Sequence, residues 1–329
     1  MPITASFAGL RGYVPALVTP FEADLPGPDL IALTHLADRA VLRGATALVV
    51  CGTTGEAPAM RPEEQACAIR AVVESVAGRV PVIAGVGASC TESAVCLAEN
   101  AGHAGASGLL VSAPPYVRPG QDGLRAHVRA IAARSGLPIM LYDVPSRAAV
   151  GFTDETVACL WNEGSIAAIK DATGDLARPV RLRRLCGAEF PQFTGDDGTA
   201  AAYFAMGGVG CVSVTANVAP ALCAALHDAW RAGDGTRFAE LRDRLAPLHE
   251  ALFAETNPVP VKAALHLLGL CGPTPRLPLI KAGEATMALL SRVLGEVMPY
   301  EETRARAAAA ELEAPLYWRR ALPRVSCHA

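Results

Sequence analysis

The sequence predicts a (β/α)8 barrel followed by a helical C-terminal region, and three observations carry this reading. Short apolar or β-branched runs alternate with longer segments of helical periodicity, and eight such runs fall within about 230 residues, more than an open sheet usually holds. The runs are too apolar to have a solvated face, as expected of parallel strands covered by helices. From about residue 219 onward only helical periodicity remains.

Taken in order, the strands are expected at 14–19, 45–50, 80–84, 108–111, 138–142, 166–170, 190–194 and 209–213. Helical segments separate them at 30–42, 62–76, 91–104, 123–133, 154–160, 176–185 and 198–206. Further helices are expected at 222–230, 238–254, 259–268 and 284–297, and an Ala/Glu/Arg-rich tail from Glu301 reads as a surface helix with a disordered end. The expected division is a barrel domain over residues 1–225 and a helical region with an extended tail over 226–329. No internal repeat or low-complexity linker interrupts the chain, so one compact unit is expected.

The 329 residues, 51% of them hydrophobic, suffice for a sizeable core. A formal charge of -3 and a pI near 6.2 give no electrostatic footprint for nucleic acid or an anionic membrane. No apolar stretch reaches the roughly 18 residues of a membrane helix. The start, MPITASFAGLRGYVP, lacks a cationic segment before a long apolar core, so a cytoplasmic location is expected. Ten cysteines form no C-x-x-C pair and read as small core residues. The seven histidines form no ligand cluster, so no metal site is expected.

Parallel barrels carry their active sites at the C-terminal ends of the strands. Here those ends read Gly52-Thr53-Thr54-Gly55-Glu56 after strand two, Pro114-Pro115-Tyr116 after strand four, Tyr142 to Arg147 at strand five, Lys170 at strand six, and Gly195-Asp196-Asp197 after strand seven. Lysine is almost never fully buried without a partner or a task. At a barrel mouth its deprotonated amine attacks a ketone to form an imine, whose nitrogen is an electron sink. The Gly-Thr-Thr-Gly turn offers backbone N–H groups and two hydroxyls to a carboxylate. Together these describe an α-keto acid held as a Schiff base, chemistry for which no cofactor is expected. Tyr142, at the end of the adjacent strand, is placed to relay protons, with Thr53 and Tyr116 as further links. Arg147 offers a bidentate donor to the carboxylate of a second substrate, and Gly195 lets main chain approach the ligand.

Each of these residues has a plainer reading. Lys170 could pair with Asp171 or another acid, GTTGE could be an ordinary turn whose Thr and Glu cap a helix, and Tyr116 and Arg147 could be surface residues. Thr173, Gly174 and Asp175 read as cap and turn, and RLRR at 181–184 as a solvated helix face. Gly85-Val86-Gly87 lacks the third glycine of a dinucleotide site.

In order, GTTGE, PPYVRP, LYDVPSR, IKDATG, TGDD, VSVTANVAP and NPVPVK resemble the dihydrodipicolinate synthase/N-acetylneuraminate lyase family of pyruvate aldolases, over roughly residues 10 to 298. The resemblance implies a (β/α)8 barrel with a C-terminal helical domain, usually a homotetramer, and a pyruvate imine on Lys170. It implies a proton relay of Thr53, Tyr142 and Tyr116, with Tyr116 reaching a neighbouring subunit's site. Thr54 would bind the pyruvate carboxylate, Arg147 the carboxylate of the aldehyde substrate, and the main chain of Gly195 and Val212 would face the reaction. Ser146-Arg147 resembles the synthase branch, which condenses pyruvate with L-aspartate-4-semialdehyde on the route to diaminopimelate and lysine. The lyase branch, acting on 2-keto-3-deoxy sugar acids, is the alternative, and a keto-acid-binding protein without catalysis is a second.

Asp143 stands where the synthases usually carry Asn, and Ala148-Ala149 where they usually carry Thr-Gly, which alters the rim around Arg147. Pro115, Ser89 and Ser93 stand where lysine-inhibited members carry Tyr, Asn and Glu. Pro62 and Gln65 replace histidines of some inhibited enzymes, so weak or absent inhibition by lysine is expected.

Overall fold

The computed structural model describes residues 7–21 and 27–311; positions 312–329 of the expected tail lie outside the described residues. Eight parallel strands, β1 (Gly12–Pro15), β2 (Leu48–Val50), β3 (Val82–Val86), β4 (Gly108–Ser112), β5 (Ile139–Asp143), β6 (Ala168–Asp171), β7 (Gln192–Thr194) and β8 (Gly210–Ser213), pair in the order β1-β8-β7-β6-β5-β4-β3-β2. A parallel bridge between Ala16 and Val49 spans the remaining gap, and the Leu17 N–H donates to the Val49 carbonyl at 2.9 Å, so the sheet closes on itself. Asn217 supports the seam by accepting from Val18 N and donating to the carbonyl of Ala16.

The ring of helices comprises α1 (Leu30–Leu42), α2 (Pro62–Val76), α3 (Thr91–His103), α4 (Gln121–Ser135), α5 (Pro145–Ala148), α6 (Asp154–Asn162), α7 (Arg178–Cys186), α8 (Ala200–Ala205) and α9 (Pro220–Ala232). Beyond it lie α10 (Gly235–Ala251), α11 (Val259–Leu267) and α12 (Glu284–Glu311). Position 225 falls inside α9, which packs on β1. None of the described helices is long and apolar enough to cross a membrane.

Period-two alternation sorts the strand side chains. Val14, Val49, Ile83, Met140, Phe193 and Val212 fill the barrel interior, while Leu48, Leu109, Leu141 and Ile169 face the helices. A third apolar cluster, including Leu222, Leu245, Val261 and Leu290, joins the barrel to the C-terminal helices.

Strand ends differ from expectation where a proline intervenes. β3 starts at Val82, not 80, because Pro81 has no N–H to give and contributes only its carbonyl, to Leu48 N at 3.0 Å. β1 stops at Pro15 where 14–19 was expected, with Ala16 making only the single bridge. In α12 a proline fails to end a helix: expected to stop at 297, it runs through Pro299 to Glu311. The reason lies two residues on, where wholly buried Glu301 accepts from Ala221 N and Leu222 N, opening α9, and from Arg43 Nη1 at 2.9 Å.

Among the described residues, the reading of the cysteines as core residues holds for Cys51, Cys211 and Cys223 only, and Cys327 lies outside them. Cys90 and Cys96 are exposed, Cys159, Cys186 and Cys271 are half-buried, and Cys67 is disulfide-bonded. The helices that carry most of these turn an outer face to solvent, which periodicity alone does not assign for so small a side chain.

Arg276, after α11, ties the C-terminal region to α2. Its guanidinium donates twice to Glu64, at 2.7 Å each, and with a smaller contribution from the Arg61 N–H at 2.8 Å holds that carboxyl down to about 2 from its ordinary 4.5. A carboxylate held low in the fold adds stability that is complete above its unfolded pKa and disappears as pH falls through the folded value. Arg276→Met removes the larger part of that depression and is therefore expected to lower stability at pH 7 by roughly 1–2 kcal/mol. The gap to the parent should close as pH falls from 4.5 toward 2. Urea midpoints measured across that range check this, and a gap independent of pH contradicts it.

Candidate active site

Lys170 alternates with Ala168 on β6 and so points into the barrel, in register with Tyr142 on β5 and Phe193 on β7. It is 6% exposed, and Nζ lies 4.2 Å from the centroid of the Tyr142 ring. The plainer reading, a pair with Asp171, does not hold. Asp171 Oδ1 accepts from Thr173 N at 2.9 Å and Thr173 Oγ1 at 2.7 Å, and sits 3.6 Å from Arg178 Nη1. Among the described residues Lys170 makes no ion pair.

Arg178 is buried and serves several acceptors. It donates to Asp143 Oδ2 at 2.7 Å, Asp154 Oδ1 at 2.9 Å and the Phe152 carbonyl at 2.8 Å. Asp143, the altered rim residue, is thus turned away from Arg147, and its oxygens also accept from Phe152 N. Burial pushes the Asp143 carboxyl above its usual range despite the guanidinium.

Pro145 starts the single turn α5 directly after β5, which sets Arg147 on the rim, exposed. Its Nη2 donates to the Asn257 carbonyl at 3.1 Å. Asn257 also donates from Nδ2 to Thr54 Oγ1 at 3.0 Å, so one residue touches both groups expected to hold carboxylates.

The turn 52–56 is pinned from several sides. Thr19 Oγ1 donates to the Gly55 carbonyl at 2.7 Å. Gly85 is required beneath it, because a Cβ there would lie 2.1 Å from the Cys51 carbonyl oxygen. Thr54 is buried and Thr53 half-buried beside it. Glu56 caps no helix with its side chain; it is left-handed at φ 55 and pairs with Lys262. Such a backbone in a residue other than glycine costs of order 1–3 kcal/mol and persists only where the surroundings enforce it. Burial pulls the Lys262 ammonium below its usual range, partly offset by Glu56.

Gly195 follows β7 against the lysine, since a Cβ there would lie 2.8 Å from Lys170 Cε and 3.0 Å from Ala172 Cβ. The two acids of TGDD are structural. Asp196 accepts from Gly198 N and Thr199 Oγ1, and Asp197 from Ser213 Oγ, Val214 N and Thr215 N. Val212 is wholly buried on β8 in the barrel interior. Lys170, Tyr142 and Gly195 thus come together, and Thr54 and Arg147 are joined through Asn257. Tyr116 stands apart at 92% exposed, in a loop where Tyr116 and Arg118 are left-handed. Among the described residues no three His, Cys, Asp or Glu side chains form a metal-holding group.

Sequence reasoning missed Asn257, Lys262 and Arg178. The first two lie in NPVPVK, quoted above for its resemblance alone; nothing in the spacing around Arg178 marks it.

A buried amine without a carboxylate, stacked on a phenol, suits imine formation with a keto acid and proton transfer at the adjacent carbon. Gly195→Ala is expected to fold with a melting temperature near the parent's while displacing the amine. Capture of pyruvate by borohydride should slow roughly 100-fold, as misplacement by an ångström can do. An unchanged capture rate refutes the contact.

Residues 9–296 match the model of the dihydrodipicolinate synthetase family. The chain is 46% identical over 284 residues to the 4-hydroxy-tetrahydrodipicolinate synthase of Rhodospirillum centenum, covering 86% of this chain and 97% of that one. It is also 46% identical over 286 residues to the enzyme of the same name from Cereibacter sphaeroides, with 87% and 98% covered. The crystal structure of dihydrodipicolinate synthase from Thermotoga maritima superposes with a TM-score of 0.85 at 37% identity, over 88% of this chain and 99% of that one. With a family match across most of its length and a barrel of the same shape, the chain belongs to the dihydrodipicolinate synthetase family.

Proposed function

We propose that this chain is a 4-hydroxy-tetrahydrodipicolinate synthase, condensing pyruvate with L-aspartate-4-semialdehyde in lysine biosynthesis. The observation that carries this is the buried Lys170 amine over the Tyr142 ring, with its neighbour Asp171 engaged elsewhere. The amine adds to the pyruvate carbonyl and water leaves, giving an imine. Loss of a methyl proton converts it to an enamine, whose carbon attacks the aldehyde and becomes bonded to it. The amino group of the semialdehyde then attacks the imine carbon, closing the ring and releasing the lysine.

In this reading Tyr142, Thr53 and Tyr116 carry the protons, and Thr54 holds the pyruvate carboxylate. Arg147 receives the carboxylate of the semialdehyde, and the main chain of Gly195 and Val212 borders the reacting atoms. That Asp143 is occupied by Arg178 supports a rim arginine free for a carboxylate, and so favours the semialdehyde over a polyol sugar acid. Tyr116, exposed in the single chain, suits a residue lent to a neighbouring subunit, and we take the assembly to be a homotetramer. The cytoplasmic location expected from the sequence belongs to the same proposal.

Purified protein is expected to turn over pyruvate with the semialdehyde, and borohydride should leave a reduced pyruvate adduct on Lys170. Lys170→Met should form no adduct. Cleavage of a 2-keto-3-deoxy sugar acid without turnover of the semialdehyde would transfer the assignment to the lyase branch.

Regulation follows from the replaced residues. Gln65 donates to the carbonyls of Ala57 and Met60, and Ser93 accepts from Cys90 Sγ, so both serve local structure. Lysine is expected to inhibit weakly or not at all, and half-maximal inhibition at submillimolar lysine in a steady-state assay contradicts this.

A further inference from the structure

The segment 257–262, NPVPVK, belongs to the helical region, yet both of its polar side chains end on the turn 52–56 of the barrel. Lys262 is wholly buried, and its Nζ lies 2.5 Å from Glu56 Oε1, 206 residues away in sequence. The same nitrogen donates to the Thr274 carbonyl at 3.1 Å, and Glu56 Oε2 accepts from Arg276 N at 2.7 Å. The Phe21 ring packs against both cations, 4.4 Å from Lys262 Nζ and 4.3 Å from the Arg276 guanidinium. At the other end of the turn, Asn257 Nδ2 occupies a lone pair of Thr54 Oγ1 at 3.0 Å. A hydroxyl that accepts this bond keeps its one proton to donate elsewhere.

Stability alone is a weak account of the buried pair, since desolvating two charges offsets most of their attraction. A second imine-forming lysine is a weak account too, because Lys262 Nζ is closed in by a carboxylate and a carbonyl. What the contacts do accomplish is to fix the left-handed Glu56 and the Thr54 hydroxyl together.

We propose that Lys262 and Asn257 are positioning residues for the keto acid, acting through Glu56 and Thr54 to preset the turn 52–56 for its carboxylate. This rests on reading that turn as the pyruvate-carboxylate site.

The test uses the full chain and follows the pyruvate concentration that half-saturates borohydride-trapped adduct, which needs no aldehyde. Lys262→Met and Asn257→Ala should each require about tenfold more pyruvate, the scale of one oriented hydrogen bond. The trapping rate at saturation and the KM for the semialdehyde should stay near the parent's. The double variant Glu56→Gln with Lys262→Met removes both charges; it is expected to regain the parent's melting temperature but not its pyruvate affinity. If Lys262→Met fails to fold, the double variant and Asn257→Ala carry the same comparison. Parent-like half-saturation in the folded variants, or pyruvate affinity that recovers together with the melting temperature, overturns the proposal. A parent protein that traps no pyruvate overturns the proposed function instead.

Discussion

Lys170 keeps its amine unpaired because strand alternation sends the acids of β5 and β6 to the opposite face of the sheet, where Arg178 and Thr173 engage them. Asp171 follows the lysine directly in sequence, and alternation along β6 turns its side chain away from the barrel interior that Lys170 enters. There Asp171 bonds to the hydroxyl and N–H of Thr173 and faces Arg178, which also holds Asp143 and Asp154. Removing that guanidinium would leave buried carboxylates unpaired on the outer face of the strands that carry Tyr142 and Lys170. Asp143 therefore has a different meaning from the one its position suggests. Facing away from the rim, it extends the charge network behind the lysine and, among the described residues, leaves Arg147 bonded only to a main-chain carbonyl.

A second constraint reaches the site from outside the barrel. The turn after β2 contains a left-handed glutamate and two hydroxyls in a few residues, and the strand alone does not enforce that shape. Thr19 holds it from the preceding loop, Gly85 makes room beneath it, and Asn257 and Lys262 hold it from the helical region. The same region is fastened to the barrel by Arg276 on Glu64 and by Glu301 at the start of α9. The C-terminal helices thus work as part of the site's frame, joining the two expected carboxylate sites through a single asparagine.

Most of the scaffold was legible because it rests on short-range regularities. Eight apolar runs with helical segments between them require only strand and helix periods, and strand ends carry site residues wherever a parallel barrel closes. The candidate site residues Lys170, Tyr142, the turn 52–56 and Arg147 could be found that way. The errors arose where local rules met distant partners. Pro299 should end a helix, but burial of Glu301 two residues later carries the helix through it. Exposed cysteines such as Cys90 and Cys96 resemble core residues to any count of composition.

The sequence by itself determined the closed parallel barrel, the lysine at the sixth strand's end and the polar turn after the second strand, since each follows from residues a few positions apart. Only the tertiary structure decided which acids would pair with which cations. Lys262 meets Glu56 across 206 residues, and Asp143 meets Arg178 across 35. A charge buried on folding takes whichever partner the packing brings within about 3 Å, and linear spacing carries no record of that distance.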